Sequence, residues 1–102
     1  MHIIIWEYVV KLEMRSEFQR FYSSDGLWTE LFKKNAGYLG TELLHDTINP
    51  YRFITIDRWA SEEAYRSFHK SYRNEYQDLD KECESLTESE SLVGNFHFRS
   101  HT

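Results

Sequence analysis

One stretch constrains the fold of this chain more than any other: Gly37–Trp59, GYLGTELLHDTINPYRFITIDRW. It reads as a β-hairpin. Tyr38–His45 sets Leu39, Leu43 and Leu44 among short polar residues. Phe53–Trp59 supplies the β-branched Ile54, Thr55 and Ile56, which fit a pleated surface. Between the two runs, Asp46-Thr47-Ile48-Asn49-Pro50-Tyr51 holds the only proline. Asn-Pro signals a turn, because proline fixes its own φ and drives the preceding residue out of the α region.

The flanks repeat a simple order. A first strand over His2–Leu12 sets Ile4, Trp6, Tyr8 and Val10 on one face and Ile3, Ile5 and Val9 on the other. Both faces are apolar, as in a strand covered on both sides. Glu7 is the exception, and a carboxylate there needs a partner or a raised pKa. Two readings stay open for it: an ion pair with Arg52 or Arg58, or a place in a pocket. A short helix over Arg15–Tyr22 follows, then Ser23-Ser24-Asp25-Gly26, where Ser24 or Asp25 is expected to cap a second piece over Gly26–Lys34. That broken helix is either a lid over a pocket or a plain corner. After the hairpin, Ser61 caps a long helix with Tyr65, Phe68, Tyr72, Tyr76, Leu79, Cys83 and Leu86 on one stripe. A last strand over Ser91–Arg99 sets Leu92, Phe96 and Phe98 against Val93, Asn95 and His97.

The order β, broken α, β, β, α, β predicts an α+β, ferredoxin-like βαββαβ domain over residues 1–102, with an antiparallel four-stranded sheet and the helices on one face. Two helices can cover only one face of that sheet. The open apolar face therefore calls for a partner, most simply a second copy in a homodimer.

Net charge is −5 and the basic residues form no stripe, so nucleic acid is not an expected partner. His2–Trp6 is too short to cross a bilayer, no signal peptide is seen, and the lone Cys83 sits on the buried stripe; no membrane association and a cytoplasmic location are expected. There is no Gly-rich phosphate loop, G-x-S-x-G or C-x-x-C. His97 and His101 fall in a strand and a tail, so no metal site is expected. What remains is aromatic. Rings make up 17% of the chain, and a gap in a core of large rings can become a pocket. The more polar strand positions, Glu7, Thr55, Asp57, Asn95 and His97, could face such a gap. His69 lies four residues after Tyr65 and three before Tyr72, either as a helix-border residue or as a proton acceptor. Trp28 and Trp59 serve as core rings or pocket walls.

Several pieces together resemble the antibiotic biosynthesis monooxygenase family of dimeric α+β barrels: I-W-E-Y-V-V at the start, E-F-x-x-F-Y at Glu17–Tyr22, D-G-L-W at Asp25–Trp28, Gly37–Leu44, T-I-D-R-W at Thr55–Trp59, and Leu79–Thr87. The resemblance implies a homodimer and a cofactor-independent oxygenase acting on a small aromatic or phenolic compound. His69 would take the phenolic proton, Trp28, Trp59 and Tyr72 would wall the pocket, and Glu7 or Arg58 would orient the substrate. No cofactor and no metal are expected. A non-enzymatic barrel that binds a small apolar ligand is the alternative. The family's haem-degrading branch carries an Asn on the first strand and a Trp and a His on the last helix. Here Glu7, Phe68 and Asp78 stand near those places.

Overall fold

The computed structural model describes residues 1–99. Its strands are β1 (His2–Val10), β2 (Tyr38–His45), β3 (Arg52–Trp59) and β4 (Thr87–His97). Its helices are α1 (Arg15–Tyr22), α2 (Leu27–Phe32), α3 (Glu62–Ser71) and α4 (Arg73–Cys83). The strands form one antiparallel sheet in the order β2-β3-β1-β4, the ferredoxin-like arrangement. The hairpin is closed by its own side chains. Asp46 Oδ1 accepts from the N–H groups of Ile48 and Asn49 at 2.8 and 2.9 Å, and Asn49 Oδ1 accepts from Tyr51 at 3.0 Å.

Alternation along β3 decides what is buried. Phe53, Thr55, Asp57 and Trp59 point to the helices and are buried, while the residues between them are only half-buried. Their partners on β1 are Tyr8, Trp6, Ile4 and His2, which share that face. Phe18, Tyr22, Phe32 and Phe68 of the helices close over it. The rings interlock: Phe18 stacks on Tyr22 with centroids 4.3 Å apart, and Trp59 meets Phe32 and Tyr65 edge-on at 5.5 and 5.4 Å. Ile3, Ile5, Ile54 and Ile56 lie on the other face with no helix above them and are half-buried.

Four details depart from the sequence reading. β1 ends at Val10, and Leu12–Met14 form a short 3₁₀ turn into α1. Neither Ser24 nor Asp25 caps the second helix. Gly26 stands at its N-cap without a side-chain bond, and Asp25 accepts from the Ser23 hydroxyl at 2.9 Å instead. The long C-terminal helix breaks at Tyr72, whose φ of −122° and ψ of 32° lie outside the helical range, yet the apolar spacing continues across the break. Last, β4 begins at Thr87 and carries a bulge: Ile5 pairs with Gly94 but Trp6 pairs with Leu92. The extra residue, Val93, reverses the alternation, so Leu92 shares the helix side with Asn95 and His97, and Phe96 lies opposite.

Candidate functional site

A cavity of about 50 Å³ lies between the helix side of the sheet and the helices. That is several times the space of roughly 10–15 Å³ that one water needs. Trp6 and Tyr8 of β1, Thr41 of β2 and Thr55 and Asp57 of β3 form its floor. Tyr22, Trp28, Tyr65, His69 and Tyr76 come down from the helices. The half-buried Asp80 of α4 and the exposed Glu90 of β4 complete the wall.

The polar groups sit in this ring-lined space for local reasons. Asp57 has the same parity as Phe53 and Trp59 and is carried inward with them. Thr41, its cross-strand neighbour, donates its hydroxyl to Asp57 Oδ1 at 2.6 Å, and Tyr38 donates to Thr41 Oγ1 at 2.6 Å. Burial pushes the Asp57 carboxyl up to about 6, and the Thr41 bond only partly offsets this. Tyr8 shares a hydrogen bond with Thr55 Oγ1 at 3.2 Å. Burial raises the phenols of Tyr8, Tyr65 and Tyr76, which therefore stay neutral.

His69 rides on α3 between two rings, with Tyr65 and Tyr76 centroids at 4.5 and 4.6 Å. Burial lowers its pKa, because the imidazolium would lose hydration, so the neutral ring dominates at pH 7. Its Nε2 is buried and has no hydrogen-bond partner. An unpartnered imidazole nitrogen at a cavity wall is equipped to engage a ligand hydroxyl.

The structure brings Trp28 and His69, and of the polar strand positions Thr55 and Asp57, to the cavity, while Asn95 and His97 do not line it. Trp59 packs one layer away, fully buried against Phe32, Tyr65 and Phe68. Tyr72 stands at the α3–α4 break, its hydroxyl 3.5 Å from the Lys34 carbonyl and its ring 5.5 Å from the Lys34 ammonium, and it does not line the cavity. Glu7 and Arg58 lie on the opposite face of the sheet. Glu7 accepts from Arg52 at 2.5 Å, which in turn reaches Asp46 at 3.1 Å, and Arg58 pairs with Glu42. Strand parity excludes both from the cavity, since Glu7 follows Trp6 and Arg58 precedes Trp59. The parity of Asp57 with Trp59 was the signal that singles out Asp57 as a site residue. Trp6 shares the parity of Tyr8 on β1, and Tyr76 lies on the apolar stripe of the last helix, but Asp80 and Glu90 had no comparable signal, because helix rotation and the β4 bulge place them.

Of the positions that align with the haem-degrading branch, Phe68 is a fully buried core ring and Asp78 is exposed on α4. Among the described residues no group of three or more His, Cys, Asp or Glu is placed to hold a metal ion; His101 lies outside them. Cys83 is buried, and burial pushes its thiol up to about 11, which suits a core residue. No helix among the described residues is long and apolar enough to cross a membrane.

The family model for antibiotic biosynthesis monooxygenases matches residues 1–81. Among solved structures, SnoaB from Streptomyces nogalater, a cofactor-independent oxygenase, is similar with a TM-score of 0.72 at 17% identity, over 97% of this chain and 93% of that one. A candidate antibiotic biosynthesis monooxygenase from Deinococcus radiodurans reaches 0.77 at 10% identity, over 100% and 96%. PA3566 from Pseudomonas aeruginosa gives 0.70 at 14% identity, over 97% and 94%. At these identities the likeness is one of fold. No curated protein sequence matches the chain significantly.

Proposed function

Because the chain belongs to the antibiotic biosynthesis monooxygenase family, we propose that it is a cofactor-independent monooxygenase acting on a small aromatic or phenolic compound in the cavity under its helices. The observation that carries this reading is His69: a neutral imidazole with a buried, unpartnered Nε2 in the wall of a ring-lined cavity. In this reading His69 accepts the phenolic proton. The resulting electron-rich ring passes an electron to O₂, the two radicals combine at a ring carbon that bears hydrogen, and the peroxide takes back the proton held by His69. Loss of water from the hydroperoxide leaves a carbonyl, so the substrate itself supplies the electrons.

The protein's share is to position the ring against Trp28, Trp6 and Tyr76, to hold the proton acceptor, and to keep bulk water from the reactive phenolate and its radical. Glu7 and Arg58 face away from the cavity, and Asp57 takes over the orienting part. The likeness to SnoaB supports the reaction type. The half-buried isoleucines of the open face support a homodimer closed sheet to sheet.

The test is oxygen uptake by the purified protein, without added cofactor, on a panel of hydroquinones and anthrones. Uptake that is stoichiometric with quinone formation is the expected result. Saturable binding of the same compounds with no uptake would identify a ligand-binding barrel instead.

A further inference from the structure

We propose that the cavity selects an aromatic compound that carries a protonated amine. This rests on the reading that the cavity is where substrate binds, and adds the charge of that substrate. Three carboxylates line the cavity: Asp57 from β3, Asp80 from α4 and Glu90 from β4. None of the three forms an ion pair among the described residues. Asp57 is only 9% exposed, and the hydroxyl of Thr41 engages one of its oxygens. Two residues of the same wall carry buried polar atoms without a hydrogen-bond partner, His69 at Nε2 and Trp28 at Nε1.

Nothing in the wall supplies a compensating positive charge. His69 is the single basic side chain there, and burial holds it neutral. Arg66, Lys70 and Arg73 line an adjoining open groove that shares Tyr65, His69 and Tyr76 with the cavity, and Arg66 is paired with Glu62 at 2.8 Å. Trp6, Tyr65 and Tyr76 add aromatic rings to the same wall, and a ring face attracts a cation.

A protonated amine answers these features together: its charge faces the unpaired carboxylates, its N–H groups donate to them, and its alkyl carbons pack on the rings. A phenol at the other end of the same molecule reaches His69. An anionic aromatic would instead bring a fourth negative charge into a space with no cation.

The experiment compares three phenols that differ only in tail charge: tyramine, 4-ethylphenol and 3-(4-hydroxyphenyl)propionate. Their affinities are measured by calorimetry at neutral pH on the wild type, Asp57→Asn and Glu90→Gln. Tyramine is expected to bind about 10-fold or more tightly than 4-ethylphenol, with the propionate weakest. Glu90→Gln is expected to reduce tyramine affinity several-fold and leave 4-ethylphenol unchanged, and Asp57→Asn to reduce tyramine affinity by a larger factor than it reduces that of 4-ethylphenol. If Asp57→Asn does not fold, Glu90→Gln on the exposed strand carries the comparison. Should 4-ethylphenol or the propionate bind as well as tyramine, the charge assignment falls while the aromatic site stands. A tyramine advantage untouched by both variants also overturns it. If none of the three binds, the cavity reading falls with it.

Discussion

Burial moves Asp57 and His69 in opposite directions on the pH scale, because it penalises whichever form is charged. Asp57 rises from 3.8 to about 6, so the folded chain favours its protonated form. That contribution to stability is full below the unfolded value and is lost as pH rises through about 6. His69 falls below 6.5, so its contribution is present above that value and is lost as pH drops through the folded pKa. Asp57→Asn removes the first effect alone. Denaturant unfolding of the two proteins at several pH values should show the variant gaining on the wild type between about pH 4 and 7, by up to ~3 kcal/mol. A difference that does not change with pH would mean that Asp57 titrates alike in both states. Parity made Asp57 readable from the sequence, since it falls on the same face as Phe53, Thr55 and Trp59. The same rule could have removed Glu7 and Arg58 from the pocket. Their functional reading drew on residue type, and the ion pairs with Arg52 and Glu42 show what those side chains do.

At the scale of elements, the joint between α1 and α2 is a packed corner. A Cβ on Gly26 would stand 2.6 Å from the Phe21 carbonyl oxygen and 2.8 Å from that of Arg20, both backbone atoms with little room to move. Gly26→Ala should therefore lower stability by ~1–3 kcal/mol, read by thermal or denaturant unfolding. Ser61 caps α3 by accepting from the Ala64 N–H at 3.1 Å, and Ser61→Ala should remove about 1 kcal/mol. An unchanged midpoint in either variant would contradict the corner or the cap. The elements were legible because period and punctuation agree: alternation in β1 and β3, 3–4 spacing in α3 and α4, and Asn49-Pro50 between β2 and β3. Their boundaries were less so. The break at Tyr72 interrupts the backbone without interrupting the apolar spacing, so the pattern could not reveal it. The bulge at Val93 shifts one strand by one residue, and only pairing with β1 exposes it.

For the whole molecule, the covered and open faces of the sheet divide two tasks. The helix side builds the cavity. The other side presents Ile3, Ile5, Ile54 and Ile56 beside the Glu7–Arg52 and Arg58–Glu42 pairs, a surface proposed to close on a second copy. Sedimentation should show a dimer at micromolar concentration, and Ile56→Asp should convert it to a folded monomer. A wild type that sediments as a monomer would remove that part of the account. The central claim concerns the cavity side, and His69 is its sharpest point. The direct measurement is kcat/KM of His69→Ala against the wild type, by oxygen uptake on a substrate found in the phenol panel. Folding is checked by the unfolding midpoint. The account predicts a folded variant with kcat/KM lower by ~10²-fold or more, as for loss of a proton acceptor. A folded variant with unchanged kcat/KM would contradict it.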